Sequence, residues 1–216
     1  MTRYLPLLII VAMLFSSGCG LKFKKLQARE VEESDPVAEL MEQGNLAFRQ
    51  EKYAEALSSF LQARSMDPKR KLVNYNVGAA YFNLENYPDA AKSFTEELVI
   101  NNRDPFAYIF RGHTYAMMGL YEKATQDIEI SLQLTDHAMS YYVQGLIHLE
   151  KGEYDLATNK FNIAIYKEPA DFLFYRDRGK AYAAMEKMDK ACADFKQALR
   201  IRPSLNLESE MADCPK

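Results

Sequence analysis

Five glycines stand at positions 44, 78, 112, 145 and 179, so successive copies lie 34, 34, 33 and 34 residues apart. Twelve residues after each comes an alanine: Ala56, Ala90, Ala124, Ala157 or Ala191. Four further on stands a large apolar side chain, Phe60, Phe94, Ile128, Phe161 or Phe195. Nine residues after each glycine is Tyr53, Tyr87, Tyr121, Tyr154 or Met188. Five copies in register define a repeat architecture, in which a unit buries its apolar face only by stacking on its neighbours.

The repeat reads as helical. Leu40, Gly44, Ala47 and Phe48 recur at helical spacing, as do Ala56, Leu57, Phe60, Leu61 and Ala63. Small residues at the glycine and alanine positions let paired helices approach closely, and the large residue fills the space beside them. Asp35-Pro36 predicts an N-cap followed by a proline at the first helical position. Gly119 and Gly152 fall at the turns inside repeats three and four, where a positive φ costs glycine little. Pro68, Pro169 and Pro203 close three of the second helices, because proline cannot continue the hydrogen-bond ladder. Repeats two and three have Asn102 and Asp136 there, and their second helices are expected to end less sharply.

The pattern resembles the tetratricopeptide repeat (TPR) consensus over residues 37–203. Gly78-Ala79-Ala80-Tyr81 and Gly179-Lys180-Ala181-Tyr182 carry the glycine-to-tyrosine step, and Tyr108, Tyr141 and Tyr175 the opening aromatic. The resemblance implies an all-α fold, a right-handed α-α superhelix (solenoid) of five TPR helix pairs. The pairs occupy 37–70, 71–104, 105–137, 138–171 and 172–203. A capping helix is expected in 204–216, with Leu205, Leu207 and Met211 as its apolar face.

Residues 1–18 read as an export signal: Arg3, an apolar run from Leu5 to Phe15, then Ser16, Ser17 and Gly18. The run is shorter than the roughly 20 residues of a spanning helix. Ser17-Gly18-Cys19 resembles the end of a bacterial lipobox, which makes Cys19 the expected lipid-attachment residue; a plain secretory peptide cut after Gly18 is the alternative. Residues 19–35 form a tether whose Lys22, Lys24, Lys25 and Arg29 either rest on anionic headgroups or are simply solvated. If Cys19 carries lipid, Cys192 and Cys214 remain as an even pair in an oxidising compartment, placed symmetrically about Pro203. They either form a disulfide or stand as a buried free Cys192 beside an exposed Cys214.

A net charge of −3, with no basic block in the body of the chain, gives no footprint for nucleic acid. His113, His137 and His148 are the only histidines, and none has a partner at metal-ligand spacing. No phosphate loop, nucleophile elbow or carboxylate pair is present, so neither catalysis nor a cofactor or metal is expected.

In the resembled family the first helix of each repeat lines a concave groove. That places Met41, Asn45, Phe48 and Arg49 of repeat one in the lining, with Leu72, Tyr75, Phe82 and Asn83 of repeat two. Repeat three contributes Phe106, Ile109, His113 and Met117; repeat four contributes Met139, Tyr142, Leu146, Leu149 and Glu150. Repeat five is more polar, with Arg176 and Lys180. About half of these are expected to be inter-repeat packing. Asn45 and Asn76 match the asparagines of a carboxylate clamp, but Met41, Phe106 and Phe110 stand where its cations belong, so no clamp is expected. An aromatic, methionine-rich groove suits an apolar peptide or amphipathic helix. The resemblance thus implies a scaffold for protein partners, similar to the outer-membrane TPR lipoproteins that face the periplasm. A soluble periplasmic chaperone and a self-assembling module are the alternatives.

Overall fold

The computed structural model describes residues 35–214. Its described residues form ten α-helices: α1 Pro36–Arg49, α2 Tyr53–Met66, α3 Val73–Asn83, α4 Tyr87–Ile100, α5 Pro105–Met117, α6 Tyr121–Leu134, α7 Ala138–Glu150, α8 Tyr154–Lys167, α9 Phe172–Ala184 and α10 Met188–Ile201. Consecutive helices pack as antiparallel pairs, and each pair packs on the next. The first helices also touch one another, α3 against α5, α5 against α7 and α7 against α9, whereas the second helices make no comparable contacts. A stack that is tighter along one row of helices must curve, with that row inside. The result is an all-α superhelix whose inner wall is α1, α3, α5, α7 and α9.

The recurring glycines are clasped by the recurring phenylalanines. A Cβ on Gly44 would lie 2.4 Å from the Phe60 ring, and one on Gly145 would lie 2.4 Å from Phe161. At Gly112 the partner is the slimmer Ile128, and the approach relaxes to 3.1 Å. The side chains of Phe60, Phe94, Ile128, Phe161 and Phe195 are all buried there.

Asp35 accepts from the backbone N–H groups of Val37 and Ala38, capping α1 as expected. Asp104 and Asp171 repeat the device on α5 and α9, and His137 Nδ1 accepts from the Met139 N–H on α7. All five second helices have 14 residues, so α4 and α6 stop as sharply as the others without proline. The next first helix, begun by its own N-cap, ends them. Gly119 and Gly152 have positive φ, and the equivalent turns of the other repeats place Glu51, Glu85 and Glu186 in the same left-handed region.

The tail corrects one expectation. Among the described residues no capping helix follows Pro203: residues 203–204 and 208–213 are turns, with one helical-type bond from the Met211 N–H to the Leu207 carbonyl. Ser204, Asn206 and Ser209 offer local alternatives to a helical ladder, and Asn206 takes the Glu208 N–H with its side chain. The apolar face nevertheless docks, with Leu207 buried against Phe195 and Ala198, and Leu205 and Met211 beside it. Cys192 and Cys214 are joined by a disulfide, their Cα atoms 5.6 Å apart.

Candidate functional site

The inner wall encloses two adjoining hollows. The larger, about 800 Å³, runs from Phe82 and Asn83 on α3 past His113 and Met117 on α5 and Leu146, Leu149 and Glu150 on α7 to Arg176 and Lys180 on α9. Ser204, Leu205 and Asn206 of the tail complete it, so the docked tail forms part of the wall. The smaller, about 240 Å³, lies between α1, α3 and α5 and is lined by Asn45, Phe48, Phe60, Tyr75, Asn76, Ala79 and Phe110, with Phe82 and Asn83 shared. None of its lining residues is charged. Asn76 donates to Asn45 across 3.2 Å.

The far end of the larger hollow is polar and tightly paired. Asp177 is buried in α9, where it accepts from the Tyr142 hydroxyl at 2.7 Å and from Arg176 at 2.8 and 2.9 Å. Lys180 Nζ adds a contact at 3.2 Å. Burial pushes the Asp177 carboxyl up, but the hydrogen bonds and charge of Arg176, with Lys180 and Tyr142, outweigh it and hold the group below the ordinary carboxylate range. Burial also drives His113 down to about 4, against the pull of Asp177, so its ring is neutral at pH 7. That ring packs tilted against Phe82 and edge-on to Tyr142. Across the mouth, Arg202 at the end of α10 forms an ion pair with Glu51 in the turn of the first repeat, while its guanidinium lies over Phe172. The two ends of the chain's repeat array therefore meet at the rim.

The tetratricopeptide repeat sequence model matches residues 41–106 and 137–206, more than half of the chain. The chain belongs to the tetratricopeptide repeat family. Among curated TPR proteins it is similar to tetratricopeptide repeat protein 16 of Macaca fascicularis, 25% identical over 171 residues, which cover 73% of this chain and 20% of that protein. The chain thus spans about a fifth of the length of that relative. A TPR protein from Parabacteroides merdae ATCC 43184 superposes with a TM-score of 0.65 at 27% identity, covering 78% of this chain and 67% of its own. PilW, described as a type IV pilus biogenesis factor, superposes with a TM-score of 0.67 at 14% identity, covering 84% and 88% of the two chains. TPR proteins act as scaffolds for protein–protein interaction.

The TPR register distributes the expected lining residues unevenly. Asn45, Phe48, Tyr75, Phe82, His113, Tyr142 and Leu146 line one or other hollow. Ile109 is fully buried in the core, and Met41 and Met139 pack against core clusters. Phe106 lies outside the hollows, edge-on to His137, and Leu72 caps α3 in a left-handed conformation. Tyr142 reaches the hollow with almost none of its surface, since its ring sits between Phe161 and Phe174. His148 pairs with Glu153 in the turn after α7. Asp177 is the residue that sequence reading misses; its signal is an acidic residue at a position that repeat four fills with buried Val143. The signal segment 1–18, Cys19 and tether residues 20–34 lie outside the described residues.

Proposed function

We propose that this chain is a periplasm-facing TPR lipoprotein that holds protein partners in its concave groove and organises a cell-envelope complex. Residues 1–18 serve as the export signal, Cys19 carries the lipid, 19–35 form the tether and 37–203 the binding array. The observation that carries the reading is the pair of contiguous hollows along α1, α3, α5, α7 and α9, with uncharged lining at one end. A concave, largely apolar surface with a few placed polar groups is the usual form of a binding site. No described helix is long and apolar enough to cross a membrane, so attachment in this reading rests on the lipid. The same fold carries a type IV pilus biogenesis factor, one setting in which an envelope adaptor would work.

Two measurements test the two halves of the reading. Radiolabelled palmitate should enter the wild-type chain and not Cys19→Ala. Crosslinked pull-downs from envelope membranes should then compare wild type with Ala79→Arg/Asn83→Arg, which fills the smaller hollow from partly or fully exposed positions. Recovery of the same partners by both baits would exclude the groove as the binding surface. A partner set consisting only of this chain would favour self-assembly instead.

A further inference from the structure

The three histidines are unequally provided for. His137 caps α7 and His148 pairs with Glu153, so each has a polar partner. His113 lines the larger hollow, is only 9% exposed, and makes no hydrogen bond among the described residues. Its close contacts are rings, Phe82 at 4.7 Å between centroids and Tyr142 edge-on, and the Tyr142 hydroxyl is already given to Asp177. These contacts hold the imidazole in place without satisfying it. A neutral imidazole carries one donor and one acceptor. Burial, helped by Arg176 and opposed by Asp177, keeps this one uncharged. A polar ring so nearly out of solvent, with no partner in the protein, has its partner elsewhere. Phe82 lines both hollows, so His113 stands against the residue that joins them.

We propose that His113 reads the main chain of the bound partner: its imidazole hydrogen-bonds one peptide group of an extended, uncharged segment that runs from the smaller hollow into the larger. This rests on the groove being the binding surface. The charge on the wall supports an uncharged occupant. Three acids and three bases line the larger hollow, Glu51, Glu150 and Asp177 against Arg176, Lys180 and Arg202, which leaves it no net charge; the smaller hollow is lined by none. An ion set against His113 would leave water for a neutral ring flanked by Phe82 and Tyr142. A peptide group brings no charge and offers both an N–H and a carbonyl, so it suits either tautomer of the ring. Asn83 lines both hollows beside Phe82 and adds a second side chain that is donor and acceptor at once. His113 then fixes where a segment sits along the groove, whatever apolar side chain it places in the smaller hollow.

The test uses the purified full-length protein in mild detergent and a fluorescein-labelled, uncharged peptide of phenylalanine, leucine, serine and glutamine. Its peptide links are replaced one at a time by ester links, which removes an N–H and weakens the carbonyl as an acceptor while keeping every side chain. Fluorescence anisotropy should find a link whose ester weakens binding about threefold to tenfold, the worth of one neutral hydrogen bond. His113→Phe keeps a ring against Phe82 and Tyr142 but removes both nitrogens. It should weaken the all-amide peptide by a similar factor and make it indifferent to that ester. In the wild-type protein, the ring-nitrogen resonances of His113 should shift with the all-amide peptide and shift less with the sensitive ester. No ester penalty at any link, a penalty that survives His113→Phe, unmoved ring resonances with peptide bound, or no binding of the peptide overturns the inference. The groove reading is decided separately by Ala79→Arg/Asn83→Arg. Loss of peptide binding in that variant keeps the groove even where the ester scan is flat, and binding that it leaves untouched overturns the groove reading itself. Far-UV circular dichroism checks the fold of both variants, and the resonance shifts need no variant at all.

Discussion

In repeats two to five the third residue of the repeat, Val73, Ala107, Ser140 or Phe174, is buried where the preceding repeat packs; in repeat one that residue is Glu39, and it is exposed. The tenth residue behaves alike. Ala80, Thr114, Ile147 and Ala181 are buried, while Leu46 is 54% exposed. The amino-terminal end of the stack is thus closed by composition, since α1 turns Glu39, Glu42 and Gln43 outward and needs no cover. The carboxy-terminal end is closed by an added part. There α10 keeps the apolar face of an internal repeat, and a tail of turns lies over it, held by Cys192–Cys214. Terminal repeats need a polar outer face, and this chain meets the requirement in two ways, only one of which depends on a covalent bond.

The largest test of that contrast removes the staple. Cys192→Ala/Cys214→Ala is expected to lower stability by about 3 kcal/mol in the chain-entropy account of a loop of this size. Urea unfolding gives the total, and hydrogen exchange gives its location. Amides of α9 and α10 should lose protection while those of α1 to α4 keep theirs, because coupling in a solenoid passes between nearest neighbours. Equal loss in α1 would mean that the ion pair between Glu51 and Arg202 couples the two ends, and the contrast would fail.

A second difference lies one layer in. Arg178 of α9 grips Asp194 of α10 through two bonds of 2.7 and 2.8 Å, and Arg111 grips Asp127 identically in repeat three. Both guanidiniums lie between tyrosines, Tyr175 and Tyr182 or Tyr108 and Tyr115. Repeat one has exposed Gln43 at that position. Asp194→Ala leaves a mostly buried arginine unpaired and should cost about 2–3 kcal/mol. Gln43→Ala should stay within about 0.5 kcal/mol. Thermal unfolding of the two variants side by side reads the difference directly.

Much of this was legible in the chain and some was not, for physical reasons. The glycine–phenylalanine clasp is visible because it recurs, and a recurring small–large pair 16 residues apart has few uses other than close helix packing. Asp35 is visible as a cap because capping is local. The arginine–aspartate pairs share that 16-residue spacing but occur in two repeats of five, too few to stand out against ordinary surface charge. Asp177 is marked in the sequence only by its contrast with Val143, because its hydroxyl partner Tyr142 lies 35 residues away on another helix. Groove assignments by repeat position failed most clearly at Ile109, since position fixes direction while curvature decides what remains open. The tail was read as helix from its apolar spacing, and the competing side-chain hydrogen bonds of Asn206 and its neighbours prevailed.

The turns inside the repeats give a smaller effect. Gly119 and Gly152 occupy the left-handed position at little cost, whereas Glu186 holds φ near 59° there. Glu186→Gly should raise stability by about 0.5–1 kcal/mol, the left-handed penalty less the entropy of glycine. The same change at Glu51 should gain less, because it also removes the partner of Arg202. Matched denaturation curves for the two variants separate backbone relief from the rim contact. Equal gains would show that the rim ion pair contributes nothing.

The smallest effect is a pH dependence confined to the amino-terminal end. The Ala38 N–H and the Arg70 side chain hold the Asp35 carboxyl below its ordinary value of 3.8. The unfolded chain therefore takes up this proton at higher pH than the folded one does. Asp35's contribution is complete above the ordinary aspartate range and is lost as pH falls through the lower folded value. Glu210 is depressed in the same direction at the other end, chiefly by the Ser209 hydroxyl. There the disulfide keeps the tail in place whatever its protonation. Acidification should then fray α1 while the tail stays docked, followed by NMR amide intensities as pH is lowered below about 4. Asp35→Asn keeps an acceptor for the α1 N–H groups and should remove the acid sensitivity of α1. Simultaneous release of the tail in the wild-type protein would show that the covalent end has no advantage over the polar one.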